Sequence, residues 1–566
     1  MRRINSALSY LILLGGALTV GLSLYIVITT YSSLPYWDGW TQIEVAANGR
    51  SPVSPSWLWE QHNEHRLVIP KLFLAVDLLF FRARQAFLLS SIFIIQLLHL
   101  ALLSWSMRAL GGWKGALWRA GTGVAAFCLF CPTQSENLTW GFQVCFVLPP
   151  CFATLSFAAL LLYWKETLQA VERKGAPRFL WVSILAAFGA AYSLAAGSLV
   201  WPLLVAEAAY LGLGRRIIGM VSTAGAISIG LYAWHYARPE GHGSPLAALS
   251  DPFGMVKYCA AYFLSAWPYY GARGHLLLRL AVVVFFLALL AAAVPSVGRF
   301  RPFAAQLGLT VMYCLATSLI TAMGRLNFGV TQATVSRYQT VALLGWSCLG
   351  LLMLGGLSLA VGRMRYLFPV AQLSVLAVFA IGASRAENQV LITRGHAFAE
   401  RAASAALLTG MADREALGQV YPEKEMFAET VPYMRTNGLS VFSDRLASTM
   451  GKPLNSNFRP ADASECAGAL ETVFPISETY GGGLGPGLKV VGWAKDNKKN
   501  KIPSAIVVTL DDKVVGLGAT GRWRPPGFDG FVAFSPELAP QAEARFYAIL
   551  DRAAPAACYL ARLYLN

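Results

Sequence analysis

Two short stretches of the sequence carry residue types able to do chemistry. LPYWDGW, Leu34 to Trp40, sets one acid, Asp38, among Tyr36, Trp37 and Trp40. EQHNEHR, Glu60 to Arg66, packs His62, Glu64, His65 and Arg66 into a chain otherwise poor in charge. An acid held by aromatic neighbours is partly desolvated, which makes it a better proton acceptor, so Asp38 reads as a general base. The plainer reading makes Asp38 a helix cap or a solvated acid, with the two tryptophans as interfacial anchors. For His62, Glu64 and His65 the plainer reading is a polar patch that ties its loop to a helical bundle. Zinc is not expected, because HNEH puts the imidazoles at i and i+3 and lacks the HExxH spacing. No metal ligand set is assigned and no cofactor is required. Asp38 and Glu64 as a carboxylate pair still leave room for a divalent cation.

These residues sit in a membrane-type chain. Of 566 residues, 56% are hydrophobic and 13% charged, and the mean hydropathy is positive, which places the sequence in the polytopic membrane class. The net charge of +16 therefore does not point to nucleic acid, and no nucleic-acid-binding motif is present. Apolar runs predict spans near 6–31, 86–108, 114–131, 142–164, 179–196, 199–213, 217–236, 276–295, 304–323, 339–361 and 366–383. The first run is too long for a signal-peptide core and is read as a retained helix starting in the cytoplasm behind Arg2 and Arg3. Arg108, Lys114 and Arg119, then Lys165, Arg173, Lys174 and Arg178, then Arg215 and Arg216, Arg299 and Arg301, and Arg363 and Arg365 fall in alternate loops, as the positive-inside rule requires. About eleven spans result, with both chemical stretches and the C-terminus outside. The segment 255–270, ending in Trp267-Pro268-Tyr269-Tyr270, is left uncounted as interfacial or re-entrant.

Sorted by side, the inner loops are short and basic while the outer ones mix polar and aromatic residues. Arg325 and Arg337 lie outside, where anchoring by positive charge is not favoured. Guanidinium groups there suit a bidentate grip on phosphate, and Ser336 and Tyr338 flank Arg337 with further donors. Glu136 and Asn137, in PTQSENLTWGFQ, either order their own loop or line the same cavity. Gly197, in SLAAGSLVWP, marks a break between two short helices, as occurs where backbone lines a cavity at membrane depth. Cys128 and Cys131 form a CxxC at an apolar helix end and read as structural.

Beyond Ser384 the composition becomes that of a soluble protein. The expected organisation is a transmembrane domain over 1–383, whose outer loop 32–85 carries the site, a helical and loop connector over 384–463, and a β-sandwich over 464–566. LKVVGWA, SAIVVTL, KVVGLGA, GFVAF and ARFYAIL supply its strands. Of nine cysteines, only Cys466 and Cys558 lie clear of the membrane helices, and in an oxidising compartment they read as a disulfide.

YWDGW, HNEHR, SENLTWGFQ, SLAAGSLVWP and GRLNFGVTQATVSRY, with the helices between them over about Leu34 to Thr340, resemble the GT-C superfamily of membrane glycosyltransferases. The likeness is closest to a broad group of bacterial inner-membrane members. It implies a sugar donor on a polyprenyl phosphate or pyrophosphate, a catalytic acid in the first outer loop, and inverting transfer to an envelope glycan or lipid acceptor at the periplasmic face. In that picture Asp38 is the catalytic acid, and Arg325 and Arg337 hold the carrier phosphate. Tyr36, Trp37 and Trp40 anchor the loop and stack on a sugar ring, and His62 and Glu64 orient Asp38 or a sugar hydroxyl, with His65 and Arg66 beside them. Relatives often carry two adjacent acids where this chain has Asp38 followed by Gly39, which leaves Glu64 as a second carboxylate and the metal question open. The rival class is a flippase, transporter or binding protein for lipid-linked sugars. A membrane anchor for the C-terminal domain needs fewer spans than these.

Overall fold

The structure is a computed structural model that describes residues 2–169, 177–239, 248–266, 276–524, 527–536, 542–551 and 554–564. The chain divides into two units. The first comprises Met1–Ile28, Leu58–Pro70 and Leu89–Val390, and the second Thr29–Trp57, Lys71–Leu88 and Leu391–Asn566. The segment 32–85 is thus divided between them: Asp38 belongs to the second unit, and the HNEHR stretch to the first.

The first unit is helical because its sequence is a succession of apolar runs with few charges, and backbone polar groups in such runs are satisfied only within a helix. A helix forms at each predicted run. Among the described residues, six helical stretches are long and apolar enough to cross a membrane: Arg2–Thr30, Ala86–Ala109, Gly141–Leu168, Arg215–Ala233, Val284–Phe328 and Ser336–Ser358. Pro177–Ala191 and Ala195–Tyr210 are apolar but shorter. Small residues allow close approach, as membrane helices require. A Cβ on Gly123 would stand 2.4 Å from the carbonyl oxygen of Ile12, so the first helix and Gly115–Leu129 meet backbone to backbone. Trp113 fills the core between Phe300 and Phe303, at 5.7 and 5.1 Å between ring centres. The helix Pro252–Leu264 is capped by Asp251, whose Oδ1 accepts from Gly254 N at 2.8 Å. Trp267, Pro268, Tyr269 and Tyr270 lie outside the described residues, as do Arg173 and Lys174.

The second unit corrects one expectation. In place of a two-layered sandwich, the strands form one eight-stranded sheet. These are β1 (Arg459–Pro460), β2 (Cys466–Ile476), β3 (Gly487–Asp496), β4 (Ala505–Leu510), β5 (Lys513–Arg524), β6 (Gly527–Ser535), β7 (Glu543–Ile549) and β8 (Ala556–Tyr564), in the order β1-β8-β7-β4-β5-β6-β3-β2. All neighbours are antiparallel except β1 and β8. Register breaks at Leu470/Thr472, Val508/Thr509, Thr520/Arg522 and Phe546/Tyr547 bend the strands, and the sheet curls into a half-barrel. Its two faces bury separate cores. Val490, Ile506, Val508, Phe531 and Phe546 fill one. Val507, Val514, Leu517 and Phe534 pack in the other with Leu34, Trp40, Ile43, Leu407, Phe427 and Val431 from the helical part of the unit. Burial on both faces explains the nearly continuous apolar runs of β3 and β4.

Cys466 on edge strand β2 and Cys558 on β8 form a disulfide, with Cα atoms 6.2 Å apart and a sequence separation of 92. It joins strands from opposite sides of the sheet and so holds the curl. Replacing both cysteines by serine is expected to lower the stability of the second unit by about 3–5 kcal/mol. The check is thermal unfolding of parent and variant, with non-reduced peptide mapping of the parent; two alkylatable thiols in protein purified from the envelope would count against it.

Asp77 lies on the helix Val68–Phe81 and is fully buried. Its Oδ2 accepts from Gln85 N at 3.2 Å, tying down the turn that leads into Ala86–Ala109. Burial pushes its carboxyl up to about 7, against the opposing pull of the Gln85 and Phe87 amides. The folded state then holds a proton that the unfolded chain releases near pH 4, so stability falls as pH rises toward 7 and levels off above it. The expected loss is about 2 kcal/mol between pH 5.5 and 7. Unfolding midpoints of the parent should follow this curve, and Asp77→Asn should flatten it.

Candidate functional site

HNEH folds as a tight hairpin rather than a helical face. His62 N donates to His65 O and His65 N to His62 O, each at 2.8 Å. The turn places Asn63 at φ 49°, a left-handed conformation that Asn tolerates better than most residues. This is the physical reason for the i, i+3 spacing, and it turns the Glu64 and His65 side chains into a cavity of about 750 Å³ within the first unit.

At the polar end of that cavity, Arg325 Nη2 donates to Glu64 Oε1 at 2.6 Å, and His65 Nε2 stands 3.5 Å from the same oxygen. Ala195 N donates to His65 Nδ1 at 3.4 Å, which leaves Nε2 facing the carboxylate. Burial alone would push the Glu64 carboxyl up; His65 and Arg325 outweigh it and hold the group below its ordinary range. Glu64 is therefore an anion at neutral pH and a weak base. Ala195 opens the 3-10 turn Ala195–Leu199, the expected helix break. The break tolerates only glycine at 197, where a Cβ would lie 1.8 Å from Ala190 O.

Arg337 lines the same cavity. Its Nη1 donates to Glu136 Oε1 at 2.9 Å and its backbone N to Glu136 Oε2 at 3.0 Å. The stretches PTQSENLTWGFQ and GRLNFGVTQATVSRY are joined all along this contact. Asn137 Nδ2 donates to Arg337 O and Thr340 Oγ1, both at 2.7 Å, and Ser336 Oγ donates to Thr133 O at 2.8 Å while accepting from Glu136 N. Asn137 and Ser336 thus position Arg337, and Glu136 holds it. Each carboxylate takes one nitrogen of a guanidinium that carries five N–H donors. Tyr338 stacks on Tyr262 with ring centres 5.3 Å apart. Much of the remaining wall is apolar, with Phe146, Pro149, Ile229, Ile320 and Val341.

Other expected contributors fall elsewhere. Arg66, expected to bind substrate, is buried, 3% exposed, and committed to backbone. Its guanidinium donates to the carbonyls of Tyr232 at 2.7 Å, Trp59 at 2.6 Å and Trp234. It clamps the hairpin to the end of the helix Arg215–Ala233, because a guanidinium out of water must spend its donors on fixed acceptors. His62 packs on Phe142, 5.3 Å between ring centres. In the second unit Asp38 occupies the 3-10 turn Trp37–Trp40, and its carbonyl accepts from Thr41 N and Oγ1. Trp37 is exposed and sits at φ 44°. Trp40, expected to stack on a sugar, is fully buried against Phe427 at 5.3 Å, because its ring completes the core of that unit. Cys128 and Cys131 are separate buried thiols. Among the described residues no group of three or more His, Cys, Asp or Glu is gathered so as to hold a metal ion.

Sequence reading missed Arg238, Tyr232 and Tyr236, which also line the cavity. Arg238 carried a usable signal, since the parity of the basic loops puts it on the outer side with Arg325 and Arg337. Comparison of the sequence with models of known protein families and with curated proteins gives no match.

Proposed function

We propose that the protein is a membrane glycosyltransferase of GT-C type that moves a sugar from a polyprenyl-phosphate donor to an envelope glycan or lipid acceptor at the periplasmic face of a bacterial inner membrane. The observation that carries this reading is the first unit's cavity. Its lining brings Arg238, Arg325 and Arg337 together with Glu64 and His65, and most of the remaining surface is apolar, broken by Ser198, Thr317, Thr321 and tyrosine hydroxyls. Such a lining matches a ligand with a phosphate head and a hydrocarbon tail. Arg325 and Arg337 would turn their remaining N–H donors to the carrier phosphate, with Glu64 and Glu136 fixing the guanidinium planes. In the reaction, the acceptor oxygen bonds to the anomeric carbon while the carbon–oxygen bond to phosphate breaks, the acceptor proton passes to a carboxylate, and the arginines take up the charge of the leaving phosphate. Asp38 is proposed as that carboxylate from its sequence context alone. The eleven-span topology and the periplasmic placing of the second unit belong to the same proposal. Mass spectrometry of surface glycans from a deletion strain beside its parent tests it: one sugar should be missing from a defined position, and identical glycan profiles would refute it.

One observation favours a flippase for the same carrier. Glu207, on the apolar helix Val200–Tyr210, is 1% exposed, and neither carboxyl oxygen has a hydrogen-bond partner among the described residues. Ionisable groups buried at such depth commonly serve transport. A fluorescent carrier analogue crossing liposome membranes without sugar transfer would move this reading ahead.

A further inference from the structure

The second unit has a cavity of its own, about 350 Å³, which the proposed carrier site does not use. Helical residues Arg401, Ser404 and Leu408 form one wall, and β4, β5 and β7 form the other through Ala505, Thr520 and Ile549, with Ser504 just ahead of β4. Its volume falls in the range of small-ligand sites, about 300–1,000 Å³. Its lining is unlike the apolar walls of the first unit, because hydroxyls and guanidinium groups alternate with short apolar patches.

The charges decide what fits. Arg84, Arg401 and Arg445 face Asp444 and Asp551. Both carboxylates are already held: Asp444 accepts from Arg84 at 3.0 Å and from Ser33 Oγ, and Asp551 pairs with Lys499 at 2.7 Å. Arg445 is exposed and has no carboxylate partner among the described residues. Glu400, which hydrogen-bonds Ser32 on the cavity wall, is pushed by burial up to about 8 and is mostly neutral at pH 7. The field left over is positive, and it comes from guanidinium groups, which grip carboxylate and phosphate through paired N–H bonds. Ser404 and Ser504 donate to the carbonyls of Glu400 and Ile549, which leaves their oxygens to accept from a polyol, and Leu517 and Ile549 give a ring an apolar face to lie on.

We propose that this cavity binds an anionic sugar, a ring carrying a carboxylate or a phosphate, with Arg445 and Arg401 as its anion grip. The test is isothermal titration of the full-length protein in detergent with glucuronate, glucose 6-phosphate, glucose and inorganic phosphate. At least one charged sugar should bind saturably and at least tenfold more tightly than glucose, and the stronger of the two identifies the anion. Arg445→Ala should weaken that binding tenfold or more, and Arg445→Lys should restore part of it. Arg445 makes no side-chain bond to the scaffold among the described residues, so its variants should unfold at the parental temperature; Arg401→Gln provides a second variant with the same expected direction. The proposal fails if glucose binds as tightly as the charged sugars, if inorganic phosphate matches them, if no probe saturates, or if the variants bind like the parent.

Discussion

Asp38→Asn is expected to lower sugar transfer by roughly 10²–10⁴ while leaving carrier binding within about twofold of the parent. Asparagine keeps the size and planar shape of the side chain while removing its negative charge and with it the ability to take a proton. The fold should tolerate the change. The bonds that set the turn run through main chain, with Gly39 N donating to Tyr36 O at 2.9 Å and Thr41 donating to the Asp38 carbonyl. Glu64→Gln is the informative companion. It removes an anion that holds Arg325 at 2.6 Å, so it should change carrier affinity more than the chemical step. If Glu64→Gln instead reproduces the full loss of transfer and Asp38→Asn does not, the base has been assigned to the wrong carboxylate. Transfer rates and carrier binding measured on both variants separate the two outcomes.

Arg337→Ala is expected to weaken binding of a polyprenyl phosphate roughly 10- to 100-fold and to lower transfer by more than that. A charge-assisted hydrogen bond to a group present in both ground and transition states contributes about 1.5–3 kcal/mol to binding, and the leaving phosphate gathers further charge as the reaction proceeds. The main chain at 337 stays pinned in the variant, since Asn137 Nδ2 still donates to its carbonyl at 2.7 Å and its N still reaches Glu136. Lysine at this position should rescue only in part, because a point charge cannot reproduce a planar fork. Carrier binding by fluorescence and transfer by label release check the two effects separately. A variant with parental affinity would remove Arg337 from the phosphate site.

The helices were legible in the sequence because an apolar run in a membrane-type chain has one stable backbone solution, and each predicted run is helical. Strand positions were legible for a similar reason, but the sheet was not. Alternation marks which residues point to opposite faces, whereas a single curled sheet with a core on each face and a two-layered sandwich differ in which distant strands pair. The cavity was half legible. Arg325 and Arg337 stood out because the alternation of basic loops assigns them to the less basic set of loops, and the same argument reaches Arg238. The roles within the polar clusters depended on tertiary contacts that no spacing encodes. HNEH is a hairpin turn, Arg66 spends its donors on carbonyls of a helix end 166–168 residues away, and Trp40 faces a core supplied by residues near position 427. The division of the segment 32–85 between two units was invisible for the same reason.

The most direct test is transfer of radiolabelled sugar from a panel of polyprenyl-phosphate donors by the purified full-length protein in proteoliposomes, with Asp38→Asn and Arg337→Ala run beside it. Label is expected to leave the donor lipid for a distinct water-soluble or lipid product with one donor of the panel, while Asp38→Asn binds that donor without transferring and Arg337→Ala does neither well. Saturable donor binding with all label remaining on the donor lipid, in parent and variants alike, would contradict that expectation.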